Sequence, residues 1–449
     1  MQLSHTVSAM SVAFDDPNLV SSAGLVPVLA LARRCGLHET AGAALTVPNP
    51  NAAIKVAAVV AGMVAGADSI DDLDRLRHGG MGRLFTGIRA PSTLGTFLRT
   101  FTFGHVRQLD KVAAQLLVNL ARHTPLLPDA DQMMVVDVDD TVKPTYGYAK
   151  QGAGYGYTHV KGLNALIGTL STPTAAPVIA ATRLRKGSTS SARGAASFVA
   201  STLATAKRCG GSGLVLARMD SAFYTADVVA ATGRAGTKFS ITARQTVSVK
   251  AAIAAIADDA WIPIHYPNAI WDDQAGRWVS DAEVAETSYT AFASRGMGRS
   301  VTARLIVRRV KLLPPAGADQ PALVEGYRYH AVFTDSPLTM LQAETCHRGH
   351  AIVEQVIADL KNGPLAHLPS GKFAANAAWL TLAAMAHNLI RAAGVLASVF
   401  HATARPATIR HQLINLPARI ATSARRLTLH LPTGWRWEHP WRALIDAIT

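Results

Sequence analysis

The segment Met133 to Thr141, MMVVDVDDT, constrains this chain more than any other. A short Val-rich apolar run that ends in polar residues predicts a buried strand. Side chains alternate along a strand, so Asp137 and Asp139 point to one face and Asp140 to the other. Carboxylates at the end of a buried strand are costly unless they are paired or bound to metal. Asp also disfavours strands, so local propensity is overridden here, as happens at functional sites. The competing reading is an Asp-rich turn that happens to follow a strand.

The chain has 449 residues, enough for two to four domains and a sizeable core. Its 49% hydrophobic and 16% charged residues are those of a folded protein. A formal charge of +14 points to a polyanionic partner, against the blander reading of a generally basic protein. Cys35, Cys209 and Cys346 are isolated, which excludes a CxxC zinc ribbon and suits a reducing compartment. The start, MQLSHTVSAMSVAFDD, lacks the basic and apolar regions of a signal peptide. The Ala-rich run Phe373 to Phe400 is broken by Asn376, His387, Asn388 and Arg391, which predicts a buried helix or helix pair and not a membrane span. A cytoplasmic protein is expected.

Five regions follow from the pattern. Residues 1–127 read as helices in series, with Pro91-Ser92-Thr93 opening one that continues through Leu109. Their arginines, Arg83, Arg89, Arg99 and Arg107, suit a DNA-binding bundle or, equally, a packing domain with solvated charges. Residues 128–246 read as consecutive strands, then strand and helix in alternation, which predicts an α/β fold with a mixed sheet and flanking helices. Residues 247–335 lose most of the helical signal and read as a β-rich insertion of their own, with Pro314 to Pro321 as a loop between two strands. Residues 336–400 return to helix, with Glu344 to Asn362 as one helix stopped by Gly363-Pro364. The tail 401–449 carries seven arginines against Glu438 and Asp446.

Three acidic residues stand out by context. Asp139 ends the first strand, and Asp220 ends a later one, in LARMDSAFY. Glu354 lies mid-helix among apolar neighbours, where the bland alternative is a solvated residue. Lys361 lies two turns beyond Glu354 on the same face, which fits a substrate-facing edge carrying a carboxylate and a phosphate-binding cation. Three carboxylates from two strand ends and a helix are what a pair of Mg²⁺ ions requires, and no His or Cys cluster is needed.

The motifs VVDVDDT, LARMDSAFY and HRGHAIVEQVIADLKNGPLAHLPSGKFAANAAWL, in this order, resemble those of a DDE-type transposase of a bacterial insertion sequence. The opening FDDPNLVSSAGLVPVLALARRCGL is similar to the same family, and the likeness spans most of the chain. It is similar in particular to the insertion-sequence thirteen-eighty group, relatives of the hairpin-forming branch. The resemblance implies a ribonuclease-H-like core interrupted by a β insertion, and Mg²⁺ as cofactor with Mn²⁺ able to substitute. It also implies transposon-end duplex and target DNA as partners, a homodimer on DNA, and a place at the nucleoid.

The family's first Asp is followed two positions on by Thr, which selects Asp139; the second Asp is Asp220, the Glu is Glu354 and the Lys is Lys361. The related branch has Tyr and Arg seven and four residues before the Glu, where this chain has His347 and His350. Arg348 or the two histidines then take the phosphate work. In relatives the insertion supplies an aromatic that stacks on a displaced base; Trp261, Trp271 and Trp278 are candidates, with core packing the competing reading.

Two other classes compete. DVDDT fits the nucleophile motif of haloacid-dehalogenase-like phosphatases, with Asp137 attacking phosphate, but no later paired-Asp motif near a Gly follows. An inactive, domesticated DNA-binding transposase is the other, and the presence of all three acidic residues argues against it.

Overall fold

The computed structural model describes residues 1–449 except 147–148, 157, 266–269, 273–276, 280–281, 296–297 and 312–325. The side chains of Trp271 and Trp278 and the loop expected at Pro314 to Pro321 lie outside the described residues.

The N-terminal region is helical, as its Ala- and Leu-rich runs predict: α1 (Leu25–Arg34), α2 (Leu37–Ala44), α3 (Ala52–Val64), α4 (Pro91–Arg99) and α5 (Phe103–His123). The helix expected to run on from Pro91 breaks before Phe103. Thr102 adopts an extended conformation and forms a capping box with His105, so a new helix starts there.

The apolar run of the opening motif becomes β1 (Met133–Pro144), with Met134 to Val138 fully buried. It is the centre of a sheet that includes β2 (Lys161–Ser171), β3 (Val178–Lys186), β4 (Leu214–Met219) and β5 (Lys238–Thr242). These five lie in the order β3–β2–β1–β4–β5. The first three are antiparallel, and β1, β4 and β5 are parallel. Helices α6 (Ala195–Arg208) and α7 (Ala226–Arg234) form the crossovers that parallel neighbours demand. The result is a mixed α/β sheet consistent with the ribonuclease-H-like core that was expected.

Residues 247–335 begin with a helix, α8 (Val247–Ala254), before turning to strand. The strands β6 (Ile262–Ile264), β7 (Ala282–Ala291), β8 (Val301–Lys311) and β9 (Tyr327–Thr334) do not stand apart from the core. β9 pairs antiparallel with β5, Val332 opposite Thr242, and β8, β7 and β6 extend the same sheet outward.

The helix expected over Glu344 to Asn362 is split into α9 (Met340–Arg348) and α10 (Ile352–Lys361), joined by a tight turn at Gly349–Ala351. A side chain on Gly349 would put its Cβ 2.7 Å from Arg218 Nη1, so glycine at the turn lets that guanidinium pass. Val353, Val356, Ile357 and Leu360 face the core, while Ile352 is only half-buried.

The Ala-rich run forms one helix, α11 (Phe373–Ala397). It is long and apolar enough to cross a membrane, yet it is buried against α3, α5 and β3. Asn388 on this helix accepts from Ile179 N and donates to Ile179 O, both at 2.8 Å, and so satisfies backbone groups of β3. The basic tail returns to the N-terminal region: Ala418–Ser423 pairs with Leu19–Val20 and with Arg426–His430.

Candidate functional site

The parallel register of β1 and β4 sets Val138 opposite Met219, so Asp139 lies on β1 beside Asp220, which follows the end of β4. Asp139 does not end its strand as expected, because β1 runs on to Pro144, paired with β2. Both residues are half-buried. Burial pushes Asp139 up to about 6, reinforced by the negative charges of Asp220 and Asp140. Burial also raises Asp220. Two backbone contacts orient them: Asp140 N donates to Asp139 Oδ1 at 2.7 Å, and Ala222 N to Asp220 Oδ1 at 3.0 Å.

The other two acids of the motif are already neutralised. Arg218, the register partner of Asp137, donates from Nε and Nη2 to its two oxygens at 2.8 and 2.7 Å. His350 Nδ1 lies 2.7 Å from Asp137 Oδ1. Asp137 is fully buried and has no open face for attack on a substrate. Asp140 points the other way, as strand alternation requires. Its Oδ2 accepts from Arg185, Ser191 and Asn164 at 2.7 to 2.8 Å. Among the described residues Asp139 and Asp220 have no ion-pair partner.

Helix α10 packs on β1. His350 exerts its charge on both Asp139 and Asp220, and Lys361 interacts with Asp139. Successive helical residues turn about 100°, so Glu354 and Lys361 share one face of α10, and His350 lies in the turn just before it. Glu354 is exposed and lies between two residues whose charges reach Asp139. No hydrogen bond or ion pair holds its side chain among the described residues, and no three acidic, His or Cys groups there cluster closely enough to hold a metal. Two half-buried carboxylates fit a hard divalent cation that keeps several waters. The third carboxylate stands on the right helix face but outside the cluster.

His347 is buried between Ser240 Oγ, 2.9 Å from Nδ1, and Thr242 Oγ1, 3.0 Å from Nε2. Burial pushes it down to about 3, so it is a neutral residue of the fold facing β5. Arg348 is partly exposed and pairs with Glu344 at 3.2 Å. Arg99 is exposed at the end of α4, with Nη2 donating to Thr96 Oγ1 at 3.0 Å. Trp261 is buried, with Arg309 stacked 4.2 Å from its ring. Lys143 was missed in the sequence. It lies four residues beyond Asp139 on the same strand face, half-buried and within electrostatic reach of Lys361. The alternation of β1 was the signal for it.

The fold is a mixed sheet with Asp139 on a central strand beside Asp220 at the end of its parallel neighbour, and a helix bearing Glu354 and Lys361 packs on that strand. The chain belongs to the transposase DDE domain family, group 1, whose pattern matches residues 4–449. It is therefore a DNA-transposition enzyme by family, of a class that acts on DNA and is generally dependent on divalent metal. No curated protein matches it.

Proposed function

We propose that this chain cleaves the ends of its transposon and joins them to target DNA, using Asp139, Asp220 and Glu354 as carboxylate ligands and Lys361 as a phosphate-binding cation. The observation that carries this reading is the pair Asp139 and Asp220, side by side, half-buried and without an ion-pair partner among the described residues. Mg²⁺, or Mn²⁺ in its place, would supply an activated water or hydroxyl and charge stabilisation at the leaving oxygen. Asp139 and Asp220 hold the site from the sheet. Glu354 completes it from the exposed face of α10, and His350, tied to Asp137, keeps the start of that helix against the sheet. Lys361 neutralises phosphate at the far end. Arg348 and Arg99 serve as DNA contacts, and the complex on DNA is a homodimer. The host setting is a bacterial insertion sequence of the thirteen-eighty group, acting at the nucleoid.

The test compares metal-dependent cleavage by Asp139→Ala, Asp220→Ala and Glu354→Gln with wild type, alongside end binding without metal. Loss of cleavage with binding retained in all three is expected. Normal cutting by Asp139→Ala would overturn the assignment, whatever Asp137→Ala does.

A further inference from the structure

Beyond Asp139 the β1 face continues to Lys143, about 13 Å along the strand at roughly 3.3 Å per residue. Lys143 and Lys361 are both half-buried, from different elements, and near enough that Lys361 disfavours the charge of Lys143, while Asp139 favours that of Lys361. Burial lowers both, and only Asp68 opposes this at Lys143. Asp68 is itself engaged by His367 Nδ1 at 3.0 Å. Like charges packed together in a free protein raise its energy, and an anion between them would relieve it.

The positive charge does not stop there. Lys150 Nζ donates to Leu368 O at 2.7 Å, and Gln151 N to Gly371 O at 2.9 Å, which docks the loop after β1 onto the segment before α11. Lys372 on that segment donates to Arg99 O at 3.3 Å. Among the described residues neither Lys150 nor Lys372 has a carboxylate within ion-pair distance. Contacts between backbone carbonyls and ammonium groups fix these lysines without cancelling their charge. Lys150, Lys372 and Arg99 are thus joined through the segment 368–372, and Lys143, on the strand that precedes this loop, and Lys361 extend the positive charge toward Asp139.

We propose that these cations form a phosphate-binding track, and that Lys143 is its first anchor, holding a backbone phosphate of the DNA strand that is cut beside Asp139. The inference rests on the reading that Asp139 marks the cleavage site. It adds a ligand, the DNA phosphodiester backbone, for three cations outside the metal site, Lys143, Lys150 and Lys372. It also gives the direction in which the strand leaves, toward α4.

The experiment measures affinity for a fluorescent duplex of arbitrary sequence, without metal, over a series of salt concentrations. Each phosphate contact contributes about 0.9 to the slope of log K against log salt. The slope should shrink by about one for Lys143→Gln and by nearly three for Lys143→Gln/Lys150→Gln/Lys372→Gln, and Lys143→Arg should keep it. Asp68→Asn should bind as tightly as wild type or tighter, whereas weaker binding would make Lys143 part of an ion pair that holds the fold. Lys250→Gln, on α8, is the control and should leave the slope unchanged. A triple variant that melts like wild type and keeps its slope overturns the track, as does a control that loses as much. Should the triple variant fail to fold, the single variants decide. Since no metal is present, a lost slope combined with normal cutting by Asp139→Ala would sink the catalytic assignment and leave the track standing.

Discussion

Arg218 holds both carboxylate oxygens of Asp137, two residues before Asp139 on β1, just as Arg218 itself lies two residues before Asp220. The same guanidinium donates to Cys346 O, so one side chain ties β1, β4 and α9 together. Removing one partner of a buried pair strands the other's charge, at a cost of about 3–5 kcal/mol. Arg218→Met should therefore lose that much stability in denaturant unfolding, and Arg218→Met/Asp137→Asn should recover part of it. A melt of Arg218→Met equal to wild type would remove the pair as a structural brace.

Asp139 predicts a pH dependence. Its carboxyl is pushed up to about 6 from 3.8, so between those values the folded state binds more protons than the unfolded one. Stability then falls as pH rises through that window. Asp139→Asn should be more stable than wild type above about pH 6, by up to roughly 3 kcal/mol, and the difference should vanish below about pH 4. Added Mn²⁺ should raise the melting temperature of wild type and not of the variant. Equal melts at pH 8 with and without metal would count against the site.

Lys361 should serve cleavage rather than folding. A charge-assisted bond to phosphate is worth about 1.5–3 kcal/mol, so Lys361→Ala should slow single-turnover cleavage of a pre-bound end about ten- to a hundredfold. A rate within about twofold of wild type would leave it an ordinary lysine.

His347 gives the opposite expectation. With both ring nitrogens occupied by Ser240 and Thr242, His347→Ala should destabilise the chain by about 1–3 kcal/mol through unsatisfied buried hydroxyls. Its metal-free DNA affinity should match wild type at a temperature where both are folded. A selective loss of affinity would restore it as a DNA contact.

These residues also mark what the sequence could and could not show. An apolar run is a local signal, so β1 and β4 were legible, although not that β1 continues past Asp139 to Pro144. The division of labour among Asp137, Asp139 and Asp140 was not, because the partners that neutralise two of them lie 81 residues away at Arg218 and 45 away at Arg185. His347 read as a phosphate ligand because its hydroxyl partners sit 107 and 105 residues upstream. The break at Gly349 was equally hidden, since the reason for it is the approach of Arg218. The β-rich stretch looked independent because strand periodicity says nothing about which edge a strand will join.

The burial of α11 has a consequence for how the chain is made. Its partners α3, α5 and β3 all leave the ribosome first. At 5–20 residues per second they wait on the order of 10–70 s for the helix that covers them. During that interval three apolar faces of the nascent chain stand open, and chaperone capture or self-association competes with folding. A gene copy interrupted before Phe373 would hence yield a fragment destined for degradation, with little chance to persist as a DNA-bound competitor of the intact protein.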